Sequence, residues 1–329
     1  MRLSTAEKQE IIHLVERSEL GVNRTLRELG IHKSTFYKWY QAYLKNGPDG
    51  LTPQKRNRRQ WNSIPQAQKQ LVIDIALEHP ALSPRELAVK ITDEQQIFIS
   101  ESSVYRILKS KGLITTPAHI LLSASNEFKN KTNFVHELWQ TDFTYFKILG
   151  WGWYYLSTIL DDYSRYIIQW ELCKTMKVED VERSVEKALA IAGLQKGQRP
   201  KLLSDNGSCY IATELKDYLK TKSIVPIHGK INHPQTQGKI ERYHRSMKNI
   251  VKLNHYYCPE ELNEALDQFV NYYNHQRYHE SLDNVTPADV YFGKKEQILK
   301  RREKIKSQNM KLRRSLYQRE KLITINPTL

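Results

Sequence analysis

Two different periodicities divide the chain. Up to about residue 113, apolar residues recur every three or four positions, which is the spacing of one face of a helix. From about residue 136, aromatic and β-branched residues come in short runs separated by glycine and turn residues, which is typical of strands. The pattern therefore predicts helical domains first and a domain that begins with strands after them.

The first helical domain is predicted over residues 1–54, with helices between residues 6 and 46. A tight turn at Gly30-Ile31 precedes the third helix, which His32 or Ser34 can cap. A short helix, a glycine turn and a second helix make a helix-turn-helix pattern. The apolar faces of the three helices comprise Ile11, Ile12, Leu14 and Val15, then Val22, Leu26 and Leu29, then Phe36, Trp39, Tyr40 and Leu44.

The start of the third helix carries basic and hydroxylated residues away from its apolar stripe. Side chains in that place can reach base edges and phosphates in a major groove. The predicted DNA contacts are Lys33, Ser34, Thr35, Tyr37 and Lys38. An ordinary helical hairpin with a solvated polar face is the alternative.

A basic linker is predicted over residues 55–63. Its Arg56, Arg58 and Arg59 can follow DNA phosphates or a minor groove, or they can belong to a solvated tether.

A second helical domain is predicted over residues 64–113. Ser83 and Glu86 form a capping box with Pro84 at the first helical position, and Ser100 is expected to cap a further helix. This resembles a second helix-turn-helix, whose predicted DNA contacts are Ser102, Ser103 and Arg106. A purely structural helical module is the alternative.

After a polar linker at 114–134, residues 135–293 predict an α/β layered domain. An antiparallel meander opens it, and shorter strands alternate with helices afterwards. The predicted strands are 137–148, 152–161, 165–172, 201–204 and 224–227, and the predicted helices are 178–193, 211–222, 237–253 and 259–279.

The last segment, 294–329, is predicted to be a basic tail. Residues 294–321 contain 12 Lys and Arg against 3 Glu. Such a segment suits a long polar helix, solvated or on nucleic acid, or a partly disordered arm on nucleic acid.

The overall charge of +15 and pI of about 9.5 favour a polyanionic partner, most often nucleic acid, over a basic enzyme unrelated to nucleic acid. Three scattered cysteines give neither a disulfide framework nor a zinc pair, which indicates a reducing compartment. Without a signal-like or membrane-length apolar run, the expectation is a soluble, cytoplasmic and nucleoid-associated protein.

Three acids carry the candidate chemistry. Asp142 lies in the first strand, Asp205 at the end of a later strand, and Glu241 on a helix, with 35 residues between Asp205 and Glu241. Three converging carboxylates can hold two Mg²⁺ ions, which activate a nucleophile and neutralise the leaving oxygen in phosphodiester chemistry. Mn²⁺ can substitute for Mg²⁺ at such oxygen ligands.

Residues around these acids are predicted to touch DNA. Asn206 lies in a sharp turn beside Asp205, Gln235 and Gln237 precede the helix of Glu241, and Arg245 and Lys248 follow Glu241 on its helix face.

Other acids and histidines are weaker candidates. Asp161-Asp162 is more consistent with capping the following turn than with metal binding, and the spacing of His228, His233 and His244 fits no standard zinc site.

Three motifs together resemble the catalytic core of retroviral integrases and bacterial insertion-sequence transposases. They are Trp-Gln-Thr-Asp at 139–142, Ser-Asp-Asn-Gly-Ser at 204–208, and Pro-Gln-Thr-Gln-Gly-x-x-Glu at 234–241 with Lys248 seven residues on. Tyr273 to His279, followed by Thr286-Pro287-Ala288, is similar to the end of such cores. The resemblance implies a ribonuclease H-like fold, a catalytic metal-binding triad of Asp142, Asp205 and Glu241, and a DNA contact at Lys248.

Retroviral integrases begin with a His/Cys zinc module, whereas no cysteine precedes Cys173 here. The resemblance therefore favours a transposase that binds the terminal inverted repeats of an insertion sequence, cuts a strand and joins it to target DNA, as a homodimer or larger assembly. An inert DNA-binding regulator and a ribonuclease H-like nuclease remain alternatives.

Overall fold

The computed structural model describes residues 3–52, 60–114, 132–195, 197–229, 238–252 and 254–325. Their contacts divide the chain into two units, Met1–Ser63 and Ile64–Leu329. None of the helices in the described ranges is both long enough and apolar enough to cross a membrane.

The first unit contains three helices, as predicted. They are α1 (Thr5–Arg17), α2 (Val22–Glu28) and α3 (Lys33–Asn46), followed by a 3-10 turn over Gly47–Leu51. Ser4 begins α1 with a capping box, since its hydroxyl accepts from the Glu7 amide and its own amide donates to the Glu7 carboxylate. Gly30, at φ +65°, makes the tight turn before α3.

The core of this unit contains fewer of the helical apolar residues than the sequence pattern predicted. Its buried residues are Ile12, Val15, Leu26, Phe36 and Leu51. The residues predicted to be buried that the structure exposes are Leu14, Val22, Leu29 and Leu44. Leu14 lies about 200° around the helix from Ile12, and Leu51 of the 3-10 turn takes core space that the sequence pattern assigned to the helices.

Residues 64–114 form a second three-helix layer with its own apolar core, inside the larger unit. Its helices are α4 (Gln66–Glu78), α5 (Pro84–Gln95) and α6 (Glu101–Ser110). The predicted capping box of Ser83 and Glu86 is present, with Pro84 in the first turn. Ser100 lies at the N-cap of α6, but its hydroxyl bonds to Ser103 and not to a backbone amide.

The strands lie close to their predicted positions. They are β1 (Leu138–Ile148), β2 (Gly152–Asp161), β3 (Ile167–Cys173), β4 (Lys201–Ser204) and β5 (Val225–His228). They form one sheet in the order β3-β2-β1-β4-β5. The β1-β2-β3 meander is antiparallel, whereas β4 and β5 run parallel to β1.

The helices of this domain are α7 (Val178–Ala192), α8 (Ser208–Ile211), α9 (Thr213–Thr221), α10 (Gly238–Val251), α11 (Pro259–His275) and α12 (Pro287–Tyr291). Two predicted helices differ clearly from the observed ones, and α12 was not predicted. The helix predicted over 211–222 is broken at Ala212, whose ψ of 141° is extended. The helix predicted over 259–279 stops at His275, because His279 pairs with Val285 as an isolated β-bridge.

Each face of the sheet has its own core. Phe146, Ile148 and Leu156 pack against α10 and α11, whereas Trp139 and Ile159 pack against α7, α8 and α9. Side chains alternate between faces along a strand. Even-numbered residues of β1, Asp142 among them, therefore face α10 and α11.

The basic C-terminal segment is one long helix, α13 (Lys295–Ile325). It is anchored to the α4–α6 layer, so the alternative of a disordered arm does not apply to its described part. Arg302 makes two hydrogen bonds to the Asp93 carboxylate, at 2.7 and 2.6 Å, and a third to the Asn284 carbonyl at 2.8 Å. Further along α13, Arg313 donates to the Phe98 carbonyl at 2.7 Å.

Replacing Gly50 by alanine is expected to destabilise the first unit by about 1–3 kcal/mol through overpacking. An added Cβ would lie 2.1 Å from the Ala42 carbonyl oxygen, which belongs to helix backbone. Hydrogen exchange of α1 amides would report the loss. Gly21→Ala is the matched control because its Cβ would meet no atom within 4 Å. Equal protection of α1 in both variants would contradict the predicted clash.

Arg302→Gln is expected to cost about 1.5–3 kcal/mol, the usual range for hydrogen bonds to charged groups. The side chains of Arg302 and Asp93 are only 14% and 22% exposed, so solvent screens the pair weakly. Hydrogen exchange along α13 measures the effect, and a cycle with Asp93→Asn isolates the pair. Lys304→Gln removes the same charge from an exposed position of the same helix. If it loosened α13 equally, the pair would not be the anchor.

Candidate active site

Asp142 lies in the middle of β1, where its backbone pairs with Thr158 of β2. Its side chain is 22% exposed and faces α10, as the strand alternation requires. The carboxylate Oδ2 lies 3.3 Å from Nδ1 of His244. Asp142 is therefore accessible from solvent but already in contact with the helix that carries Glu241.

Asp205 directly follows β4 and is exposed. The parallel register pairs Leu138 with Lys201 and Gln140 with Leu203. Carried two residues further, the same register brings Asp205 level with Asp142. This register therefore relates two acids that are 63 positions apart in sequence, one within β1 and one directly after the neighbouring strand β4.

The turn after Asp205 is built around its carboxylate. Oδ1 of Asp205 accepts a hydrogen bond from the Gly207 amide at 2.9 Å, and the Asn206 side chain donates to the Gly229 carbonyl at 3.0 Å. Gly207 has an ordinary φ of −60°, but a Cβ there would come within 3.0 Å of Asp205 Oδ1. The glycine therefore gives room to the Asp205 carboxylate.

Glu241 lies in the first turn of α10 and is exposed. His244 and Lys248 follow three and seven residues later on the same side of the helix. Since His244 contacts Asp142, this side of α10 is turned toward β1, and Glu241 lies one helical turn from that contact. Lys248 places its Nζ 5.0 Å from the centre of the Tyr145 ring.

The environment of Lys248 is less favourable for charge than water. Burial lowers the pKa of its ammonium group, nearby Lys252 lowers it further, and Asp142 opposes both effects. The predicted DNA contact Arg245, by contrast, is exposed on α10.

Two residues of the Trp-Gln-Thr-Asp motif hold the elements that carry the other acids. Gln140, only 1% exposed, accepts from the Ile240 amide at 3.1 Å and donates to Asp162 Oδ1 at 2.7 Å. Thr141, on the opposite face of β1, lies 3.4 Å from the hydroxyl of Tyr210 in α8. Gln140 thus anchors α10 next to Glu241, and Thr141 anchors the helix after Asp205.

Sequence analysis missed these anchoring roles, although one signal was present. A glutamine in the middle of a buried strand must satisfy its amide within the protein, so its position indicated a structural partner.

Asp161 and Asp162 serve the structure, as predicted for the turn. Asp161 accepts from the amide and hydroxyl of Ser164 at 2.8 and 2.6 Å, and from the His136 amide at 2.8 Å. Burial raises the pKa of the Asp161 carboxyl, while these hydrogen bonds oppose the shift. Asp162 accepts from Gln140 and forms an ion pair with Lys239 at the start of α10.

The structure does not draw all three acids into a closed metal cluster. In the described ranges, no three His, Cys, Asp or Glu side chains are grouped closely enough to hold a metal ion. Asp142 and Asp205 are level across β1 and β4, and Glu241 lies on the adjoining face of α10. Several predicted site residues, namely Arg56, Arg58, Arg59, Gln235 and Gln237, lie outside the described residues, as does His233.

The predicted recognition residues of the first unit are all on its surface. They are Lys33, Ser34, Thr35, Tyr37 and Lys38. On α6, Ser102 and Arg106 are exposed, and the Arg106 Nε donates to the Ser102 carbonyl at 3.0 Å. Ser103 is half-buried and bonds to Ser100.

Comparison with known protein families agrees with this organisation. Residues 133–234 and 222–287 match family models described as Integrase core domain. Residues 7–59 match the Helix-turn-helix domain and residues 35–108 the Homeodomain-like domain. The fold and the site thus define a protein with helix-turn-helix domains before an integrase core. This confirms the predicted order, in which helix-turn-helix domains precede an α/β integrase core and a helical C-terminal region.

The similar proteins include proteins of bacterial insertion sequences. The chain is 25% identical over 292 residues to the transposase for insertion sequence element IS629 of Shigella sonnei, covering 83% of this chain and 92% of the relative. It is 23% identical over 282 residues to the insertion element IS600 uncharacterized 31 kDa protein of Shigella sonnei, covering 79% and 94%.

Among solved structures, the HTLV-2 integrase catalytic core domain in complex with magnesium matches with 18% identity and a TM-score of 0.39, covering 48% of this chain and 97% of that one. The chain is therefore similar to insertion-sequence transposases, and two overlapping segments within residues 133–287 match an integrase core domain.

Gln140→Leu is expected to loosen the start of α10, because the Ile240 amide and the Asp162 carboxylate each lose a buried hydrogen bond. The expected cost is about 1–3 kcal/mol for each partner left unsatisfied. Hydrogen exchange of the first turn of α10 measures it. Gln169→Leu is the matched control, since the Gln169 amide donates only to the neighbouring Trp170 carbonyl on a partly exposed strand. Unchanged exchange at Ile240 in the Gln140 variant would show that α10 is held by other contacts.

Proposed function

We propose that this chain is a transposase that cuts one DNA strand at each end of an insertion sequence and joins the resulting 3′-hydroxyl to target DNA. The observation that carries the proposal is the geometry of β1, β4 and α10. The parallel register pairs Gln140 with Leu203, and its continuation by two residues supports a position of Asp205 level with Asp142. The contact of His244 with Asp142 supports a Glu241 that faces both acids.

In the proposal, Asp142, Asp205 and Glu241 would hold two Mg²⁺ ions, for which Mn²⁺ can substitute. The donor set fits, because all three groups are hard carboxylates, and Asp205 and Glu241 are open to solvent. Ions held by these carboxylates would supply charge that activates an attacking oxygen and neutralises a leaving oxygen. The chain's own contribution is to fix the carboxylates on two strands and one helix, through Gln140 and Thr141.

The same site suits both proposed steps. In strand cleavage, a water oxygen forms a bond to the phosphorus, the bond to the 3′-oxygen breaks, and that oxygen leaves as the 3′-hydroxyl. In strand transfer, that hydroxyl attacks a phosphodiester of the target, and the target's own 3′-oxygen leaves. Both reactions exchange one phosphodiester oxygen for another without an external energy source.

DNA recognition is proposed for the helix-turn-helix domains. The exposed start of α3, with Lys33, Lys38 and three hydroxylated residues, has the size and chemistry to enter a major groove. The same role is proposed for α6 through Ser102 and Arg106. The proposed ligands are the terminal inverted repeats of the element. Because both ends must be processed, the active assembly would contain at least two copies of the chain.

Asp205→Asn is expected to abolish strand transfer while leaving binding of end DNA intact. Loss of a metal ligand should reduce the rate by more than about a hundredfold, since even residues that only support a metal ligand cost 10–100-fold. The substrate is duplex DNA with the inverted repeats that flank the gene, and the readout is joined product with Mg²⁺ or Mn²⁺. Asp217→Asn, at an exposed position of α9 on the face of the sheet opposite α10, removes an equal charge.

The outcomes separate the candidate functions. If Asp205→Asn still joined DNA ends, the site assignment would be wrong. A wild-type chain that binds the ends but cuts no DNA with either metal would be a regulator. Preferential cutting of RNA–DNA hybrids would identify a ribonuclease H-like nuclease.

A further inference from the structure

The end of the β1-β2 hairpin extends beyond the rest of the sheet. β4 pairs with β1 only over Leu138–Gln140, and β3 pairs with β2 only from Tyr155 onward. Residues 146–148 and 152–154 therefore pair with each other and with no third strand of the described chain. A two-stranded ribbon of this kind is only marginally stable unless one of its faces is packed.

One face of this ribbon is packed. Phe146, Ile148 and Tyr154 are buried in the core that the sheet forms with α10 and α11. The same core contains Met247 and Val251 of α10, the helix that carries Glu241. These contacts fix the ribbon relative to the candidate active site.

The opposite face of the ribbon is aromatic and exposed. Tyr145 and Trp153 are 52% and 51% exposed, and Trp151 in the adjoining turn is 55% exposed. The rings of Tyr145 and Trp153 lie edge to face, with 5.5 Å between their centres. We call Tyr145, Lys147, Trp151 and Trp153 the aromatic face of the hairpin. A cluster of large exposed apolar groups usually marks an interaction site.

Lysines accompany these rings. Nζ of Lys147 lies 5.8 Å from the centre of the Trp153 ring, and Nζ of Lys248 lies 5.0 Å from the centre of the Tyr145 ring. Residues 143–156, which form the end of the hairpin, contain no Asp or Glu. The charge of this surface therefore favours an anionic partner.

The aromatic face lies within reach of a strand held at the candidate active site. Tyr145 and Lys147 follow Asp142 by three and five residues on β1, which corresponds to about 10 and 17 Å of extended strand. A nucleic-acid strand rises about 3.4 Å per nucleotide. The rings are thus about three to five nucleotides away from Asp142.

We propose that the aromatic face binds unpaired bases of a DNA strand, a few nucleotides from the bond that Asp142, Asp205 and Glu241 are proposed to cut. Every base has a π-face, so exposed rings can stack on it whatever the sequence, while adjacent lysines contact the backbone. A duplex hides its base faces, so the ligand is a single strand or an opened DNA end. The proposal rests on the proposed function for the origin of that strand, but not for the binding itself.

A second copy of the chain suits this face less well. A two-fold contact would place the same patch of both copies face to face. The lysines of the two copies would then meet, and residues 143–156 offer no acid to pair with them. Like charges that face each other across an interface are unfavourable, whereas DNA phosphates neutralise the same lysines.

The test compares the affinity of the full chain for a single-stranded oligothymidylate of 30 nucleotides and for a 30-base-pair duplex, in EDTA so that no strand is cut. Trp153→Leu is expected to weaken single-strand binding at least about fivefold, the effect of losing one stacked base. Duplex binding should change by less than about twofold. Trp153→Phe keeps an aromatic ring and should retain most of the single-strand affinity.

Phe134→Leu is the matched control, because Phe134 is an exposed aromatic residue that precedes the other end of β1. It should change neither affinity by more than about twofold. Trp151→Leu lies in the turn outside both strands and should weaken single-strand binding as Trp153→Leu does, without depending on strand packing.

Salt dependence separates stacking from charge. Trp153→Leu should leave the slope of log affinity against log salt unchanged for the single strand. Lys147→Gln should reduce that slope by about 0.7, the value for one lost phosphate contact on a single strand.

The outcomes distinguish this site from the proposed function. If the wild-type chain proved inactive in strand transfer but the tryptophan variants lost single-strand affinity selectively, the proposed function would fail and the base-stacking site would stand. Single-strand affinities of both tryptophan variants equal to that of Phe134→Leu would overturn the site. A wild-type dimer that Trp153→Leu converts to a monomer in sedimentation, at unchanged single-strand affinity, would also overturn it, because the face would then join two copies.

Discussion

The candidate active site depends on one buried amide. The side-chain oxygen of Gln140 accepts a hydrogen bond from the Ile240 amide in the first turn of α10. Its side-chain nitrogen donates to Asp162, whose carboxylate also accepts from Lys239. In the protein interior these groups have no water to replace a lost partner, so the network is stable only when every member is present. The position of Glu241 follows from it, because Ile240 and Lys239 are the residues immediately before that acid.

The alternation and the turns of β1, β2 and β3 made the meander predictable, since each strand is long and one of its faces is apolar. The neighbouring position of β4 was not predictable in the same way. The segment from Lys201 to Ser204 is too short to show a periodicity. Its parallel pairing with β1 depends on packing contacts between residues that are distant in sequence. The acids themselves could be found from their motifs, but the level placement of Asp142 and Asp205 could be obtained only from the register.

The burial of individual apolar side chains was also only partly predictable from the sequence. The apolar spacing located α1 and α3, but it could not decide that Leu51 would enter the core while Leu14 and Leu44 stayed outside. The sequence also did not predict that part of the positive charge of α13 is used in contacts within the chain. Arg302 and Arg313 hold the helix to its own chain, so these two positive charges serve internal packing before any contact with nucleic acid.

Basic side chains on two sides of α10 oppose the electrostatic repulsion expected at the candidate active site. Three carboxylates brought together as proposed would repel each other and also repel the phosphate backbone on which they are proposed to act. On the β1 side, His244 contacts Asp142 and Lys248 lies close enough for Asp142 to influence its pKa. On the exposed side of the helix, Arg242 and Arg245 follow Glu241 by one and four residues. A single helix therefore presents one acid between two groups of basic side chains, which lets a negatively charged strand approach before any metal charge is counted.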